Sequence, residues 1–116
     1  MPLELTPSQA LGLWHAVAVG QVLAAEQDLT LRQMAILLQI YLVPPPHTVR
    51  GLAARLEVSK PVITRALDTM GAMGLVDRIR DDKDRRNVII KRTVQGALYL
   101  ERFGDLIIRE GRNLNY

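Results

Sequence analysis

Apolar positions fall at helical spacing along most of this chain and gather into short Val- and Ile-rich runs in one region only. Thr6-Pro7-Ser8-Gln9 reads as a capping box, with Thr6 at the N-cap, Pro7 at the first helical position and Gln9 reaching back. The helix it opens is expected to run to about Ala25. Leu11, Trp14, Ala18, Val22 and Ala25 form one apolar stripe, and Leu13, Val17 and Val19 widen it almost round the helix. A helix apolar on most sides must be covered on most sides. One small domain covers one face, so a second subunit is expected to cover another; the alternative is a central helix wrapped by its own domain.

Thr30-Leu31-Arg32-Gln33 repeats the capping box ahead of a helix with Met34, Leu37, Leu38 and Tyr41 at helical spacing. Pro44-Pro45-Pro46 ends it, because proline lacks the amide donor and bars its predecessor from helical geometry. His47 and Thr48 then form a short extended piece. Thr48 or Val49 starts a third helix with Leu52, Ala53 and Leu56 inward, and Leu56-Glu57-Val58 makes a tight turn with Val58 as buried anchor. Ser59 is the N-cap of a fourth helix, with Pro61 in its first turn. Val62, Ile63, Ala66, Leu67 and Met70 supply its apolar side, and Gly71 and Gly74 mark its end. Leu75–Arg80 and Asn87–Arg92, rich in Val and Ile and dotted with Arg, read as two strands joined through Asp81-Asp82-Lys83-Asp84-Arg85-Arg86 as a hairpin. Thr93 caps a last helix whose apolar face is Leu98, Tyr99, Phe103, Leu106 and Ile107, fraying toward Gly111 and a polar tail ending at Tyr116. Helix, turn, helix and hairpin in this order define a winged helix-turn-helix. The expected fold is mainly α with a small β-hairpin wing (α+β), in the order α-α-(β)-α-α-β-β-α.

Charge sharpens that picture. The net charge is only +3, but eleven of the fifteen Lys and Arg residues lie between Arg50 and Arg92. Before position 50 the one such residue is Arg32, set against Glu4, Glu26 and Asp28. Clustering of this kind is the footprint of a polyanion rather than of a uniformly solvated surface. The 116 residues suffice for a single domain (1–116), and aromatics at 4% of residues favour an aliphatic, helix-rich core. Within it, 29–92 is expected to be a DNA-binding lobe, and the helices of 1–28 and 93–116 to support dimerisation. With no cysteine, a disulfide framework and a thiolate zinc site are excluded, and a cytoplasmic protein is the simple expectation. The apolar run Ala10–Ala25 is broken by Gly12, His15, Gly20 and Gln21 and falls short of the ~20 residues a membrane span requires. No secretory signal is expected, since the first residues carry no Lys or Arg and Glu4 is acidic.

These residues resemble the MarR family of bacterial transcription regulators, closely over about 30–96 and by helix pattern beyond. Leu29-Thr30 with Gln33, then Ser59, Thr64-Arg65, Asp68 and Gly74-Leu75, follow the family's order through its second and recognition helices. Asp81-Asp82-Lys83-Asp84-Arg85-Arg86 matches a wing that usually reads Asp-Pro-x-Asp-Arg-Arg, with Asp82 in place of the proline. Thr93-Val94-Gln95-Gly96 matches a Thr-x-x-Gly that follows, and Arg92 stands where the family usually has leucine. The resemblance implies that Asp84 and Arg86 brace the hairpin, leaving Arg85 nearer the tip. It also implies a homodimer, and a possible small-molecule effector bound between the dimer core and the DNA-binding lobe. Family members tend to carry two C-terminal helices, whereas the residues after Gly96 have room for one.

Both kinds of contact that DNA recognition needs are available. Lys60, Thr64 and Arg65 lie in the first turns of the recognition helix, 59–73, beside Ser59 and Pro61, where side chains reach base edges in the major groove. Arg65 is placed for a bidentate guanine contact, the alternative being an ion pair with Asp68 one turn on. Ser59 has capping as its plain role. Lys83, Asp84, Arg85 and Arg86 form the wing tip, with Arg85 or Arg86 suited to the minor groove and a self-neutralising cluster as the alternative. Arg50, Arg55, Arg78 and Arg80 are candidate phosphate contacts. Leu11, Trp14, His15, Ala18, Val22, Tyr99, Phe103, Leu106 and Ile107 are the candidate dimer residues. His15 reads first as a packing residue, although at a dimer seam it could sense pH. No catalytic residue, metal or cofactor is expected: two histidines without cysteine make neither a zinc site nor a triad, and Asp81, Asp82 and Asp84 lack the Gly and distal Glu of a calcium loop. The expected function is sequence-specific binding of double-stranded DNA by a homodimer at a pseudo-palindromic site. The alternative is a protein-interaction adaptor on the same fold.

Overall fold

Capping chemistry sets where most of the helices begin. In the computed structural model, which describes residues 4–24 and 27–114, α1 (Pro7–Ala24) opens at Thr6. The Thr6 hydroxyl accepts from the Gln9 amide (3.1 Å), and Gln9 Oε1 accepts from the Thr6 amide (2.9 Å). α2 (Leu31–Leu42) has the same reciprocal box between Thr30 and Gln33. After the prolines, β1 (His47–Thr48) leads into α3 (Val49–Leu56), whose first turn is capped by the Thr48 hydroxyl accepting from Gly51 N–H at 2.9 Å. Ser59 does occupy the N-cap of α4 (Lys60–Ala72), but its hydroxyl makes no capping bond; the Ser59 carbonyl takes the Val62 and Ile63 amides instead. The capping role read for that side chain is therefore corrected. α5 (Val94–Arg112) starts at Thr93, whose Oγ1 accepts from Gly96 N–H at 2.9 Å. Ala25, Asn115 and Tyr116, assigned above to the end of α1 and the polar tail, lie outside the described residues.

The α3–α4 turn is built by Glu57 in the left-handed region (φ 55), with its N–H bonded to the Ala53 and Ala54 carbonyls. Val58 N–H returns to Ala53 O, and the Val58 side chain packs against the core. Glycine is the usual residue at such a helix end because it has no Cβ to clash. Glu57→Gly is thus expected to stabilise the fold by about 0.5–1 kcal/mol, read as an upward shift of the urea midpoint at unchanged slope; a lower midpoint would contradict this backbone account. The end of α4 obeys the same rule with glycine in place, Gly74 at φ 78 turning the chain into the hairpin.

β2 (Val76–Arg80) and β3 (Val88–Arg92) pair antiparallel from Val76 opposite Arg92 to Arg80 opposite Val88. β1 adds to the other side of β3, His47 opposite Ile90, giving the order β1-β3-β2. The short extended piece expected at His47–Thr48 is this third strand.

The described chain divides into two compact units, 29–100 and a second comprising the chain up to Asp28 with that from Glu101 onward. In the first, Ile36, Leu37 and Ile40 of α2, Leu52 and Ala53 of α3, Ile63, Ala66, Leu67 and Met70 of α4, and Leu75, Val76 and Ile90 of the hairpin form one buried cluster. Full burial of each larger aliphatic side chain contributes roughly 1.5–3 kcal/mol, so this cluster holds the lobe. The enclosed face of α2 shares Leu37 with the stripe read from its spacing, and Tyr41 packs against the core too, but that face is rotated away from Met34 and Leu38. Met34 and Leu38 are half-buried while Ile36 and Ile40 are fully enclosed, because a helix this uniformly apolar does not encode its own inward direction.

In the second unit α1 buries Val17 alone among its described residues. Leu11 is 70% exposed and Trp14 56%, and Ala18, Val22 and Leu23 are exposed too. From α5, Phe103 and Leu106 are buried, and Gly20 leaves the space that the Leu106 side chain fills. Tyr99, by contrast, packs against the core of the 29–100 unit. Three residues read as dimer contacts are therefore largely spent within the chain, and the exposed apolar residues of α5 in this unit are Ile107 and Ile108. No described helix is long and apolar enough to cross a membrane.

Candidate nucleic-acid interface

The inward stripe of α4, Ile63, Ala66, Leu67 and Met70, points its opposite side to solvent by helical periodicity. Lys60, Pro61, Thr64, Arg65 and Asp68 are all exposed there. Arg65 makes no ion pair with a described residue. Its expected alternative partner, Asp68, is taken by Arg78 of β2, Nη1 to Oδ1 at 2.7 Å. That pair bridges the recognition helix to the wing. Arg78, read as a phosphate contact, makes this brace from β2.

The wing is held from within. Arg86 donates to Asp84 through its backbone N–H and its Nε, both at 3.1 Å, as the resemblance implied. Asp81 Oδ1 accepts from Lys83 N–H at 2.9 Å, and Arg80 Nη1 donates to the Arg85 carbonyl at 2.7 Å. Arg80 thus supports the loop, leaving the Lys83 and Arg85 side chains exposed and without ion pairs to described residues. Arg50, at the start of α3, and Arg55, in its last turn, are exposed as well.

The Arg86 side chain first, then the Arg86 amide and the charge of Arg50, hold the Asp84 carboxyl below its ordinary 3.8, against a small opposing effect of burial. A lowered folded pKa means the brace is fully present above the unfolded value and is lost as pH falls through the folded one. The Arg86 amide resonance is accordingly expected to stay constant from pH 8 to about 5 and to titrate with a midpoint under 3.8. A midpoint above that value would show that the brace does not form in solution.

Sequence reasoning missed a second attachment of the wing. Arg92, at the end of β3, donates from Nε to the Ile40 carbonyl and from Nη2 to the Val43 carbonyl, both at 2.9 Å. Its guanidinium lies 5.9 Å from the centre of the Tyr41 ring. The Tyr41 hydroxyl donates to Leu75 O (2.7 Å) and accepts from Thr93 N–H (2.9 Å), closing the base of the hairpin. The one signal available was the arginine standing in a usual leucine position. Of the residues read as dimer contacts, Leu11, Trp14, His15, Ala18, Val22 and Ile107 are exposed. Among the described residues no cluster of His, Asp or Glu could hold a metal ion.

Among the described residues, five helices, a three-stranded antiparallel sheet and a braced basic hairpin make up the winged-helix architecture of MarR-type structures. The profile of the MarR family matches residues 27–87, more than half of the chain, and the chain belongs to that family. No curated protein matches it in sequence. Among solved structures it is similar to MarR itself (29% identity, TM-score 0.60, 90% of this chain and 83% of that one). It is also similar to a MepR variant of S. aureus bound to an oligodeoxyribonucleotide (24%, TM-score 0.76, 96% and 83%). A third is PcaV of Streptomyces coelicolor in complex with its natural ligand (23%, TM-score 0.66, 97% and 81%).

Proposed function

We propose that the protein is a cytoplasmic, homodimeric regulator that binds double-stranded DNA at a pseudo-palindromic site, each subunit laying α4 in the major groove and the wing in the adjoining minor groove. The observation that carries this reading is the pairing of Asp68 with Arg78. It joins α4 to the hairpin while leaving Lys60, Arg65, Lys83 and Arg85 exposed and without ion pairs to described residues on the elements it joins. Lys60, Thr64 and Arg65 would read bases, with Ser59 and Pro61 close to the sugar-phosphate chain. Arg50 and Arg55 would contact phosphate, while Asp84 and Arg86 shape the loop that presents Arg85. Dimerisation is proposed through the unit of α1 and the end of α5, where Leu11, Trp14, Val22, Ile107 and Ile108 are exposed apolar side chains that a second subunit would cover. Regulation by a small molecule is supported by the PcaV complex, and the groove of about 370 Å³ between α1 and the end of α5, lined by Gly12, Leu13, Ala16 and Glu110, is one place to seek it.

Selection of bound sequences from random duplexes tests the reading. A two-fold motif is expected, with half-sites about one helical turn apart. Recovery of unenriched sequence would remove it. The adaptor alternative draws on the outer face of the hairpin, where Ile79 is exposed directly opposite half-buried Ile89. Capture of a stoichiometric protein partner together with no retention on DNA would favour it.

A further inference from the structure

The wing is anchored at two points, and they differ in kind. Arg78 ties the second strand to an exposed carboxylate on α4. Arg92 ties the hairpin base to the end of α2, where the Ile40 carbonyl falls beyond the reach of the helix's own amides and a cation is favoured by the helix dipole. Its second acceptor, the Val43 carbonyl, is shared with His47 Nε2 at 2.8 Å, and His47 stands opposite Ile90 on β1. One planar guanidinium at the end of β3 therefore holds two carbonyls at the end of α2, the second of which His47 of β1 also engages, with the Tyr41 ring beneath it.

We propose that Arg92 is a positioning residue for DNA binding, setting the angle at which the wing carries Arg85 to the duplex without itself touching DNA. The inference rests on the regulator reading above and adds a residue to it. Lever geometry gives the reason. Strands of five residues extend about 17 Å, so a swing of about 10° at the base would displace the tip by about 3 Å, the length of a hydrogen bond. Arg78 lies part-way along that lever; Arg92 lies at its root, opposite Val76. A lysine would keep the charge but lack the fork that engages two carbonyls at once.

The test is a double-mutant cycle on the full-length protein, with affinity measured at fixed salt on a duplex selected by the wild type. Arg92→Leu and Arg92→Lys are each expected to weaken binding about tenfold (~1.4 kcal/mol). Neither should add to the loss caused by Arg85→Ala, because a misplaced tip and a missing tip remove the same contact. Full additivity with Arg85→Ala would overturn the proposal. So would wild-type binding by Arg92→Lys, which would assign Arg92 to a phosphate contact through its charge. If Arg92→Leu does not fold, as its melting curve would show, Arg92→Lys alone decides. Failure of the wild type to bind any duplex would instead bring down the regulator reading, whereas a wing-dependent wild type with silent Arg92 variants would sink this inference only.

Discussion

Replacing Arg65 with Ala is expected to lower affinity for the selected duplex by about 10- to 100-fold and to leave affinity for unrelated duplex almost unchanged. The buried stripe of α4 sends Arg65 outward, and Arg78 occupies the one acidic side chain nearby on that face, Asp68. A guanidinium so placed is available for a bidentate contact with guanine O6 and N7, which contributes ~1–3 kcal/mol of discrimination. Because Arg65 is exposed and has no ion pair with a described residue, its removal should not move the melting temperature. The check is a pair of titrations at one salt concentration, on the selected site and on a scrambled one. Equal losses on both would reassign Arg65 to the phosphates, and no loss on either would take it out of the interface.

Gly96→Ala is expected to cost about 3 kcal/mol of stability, within the range for overpacking and large single substitutions. A Cβ on Gly96 would run into the Tyr41 hydroxyl and the Leu75 carbonyl, two groups already hydrogen-bonded to each other. The Leu75 side chain and the core cannot yield without moving the start of the wing, so α5 must shift or the Tyr41 bond must break. For a lobe of this size the melting temperature should fall by roughly 10–20 °C. Gly104 on the same helix has open space around its Cβ position, and Gly104→Ala should stabilise by up to about 1 kcal/mol through helix propensity. Opposite signs from two glycines eight positions apart would separate close packing from propensity, and a neutral Gly96→Ala would contradict the geometry of the hairpin base.

What could be read from the sequence was local. The boxes at Thr6–Gln9 and Thr30–Gln33, the Thr48 and Thr93 starts and the Gly74 stop each involve residues within one turn of one another, and each stands where its chemistry put it. Asp84 with Arg86 was legible through resemblance, being two residues apart in a known pattern. What escaped was set by contacts across the fold. Asp68 was a candidate partner for Arg65 because the two are close in sequence, yet it meets Arg78 from another element. Arg92 finds carbonyls 49 and 52 residues away. Phe103 and Leu106 read as interface because periodicity marks an apolar face without saying which neighbour covers it. Ser59 shows the reverse limit, since a residue typical of a cap can hold the position while its hydroxyl does nothing there.

Dependence of duplex affinity on salt measures the central idea most directly, because each phosphate a cation neutralises contributes about −0.9 to the log–log slope. With Arg50, Arg55, Lys83 and Arg85 exposed on each subunit, a dimer is expected to show a slope of roughly −7, becoming shallower by about two units for each of these residues replaced in both subunits. A flat profile, or one that those substitutions leave untouched, would mean that α4 and the wing do not form a surface for DNA.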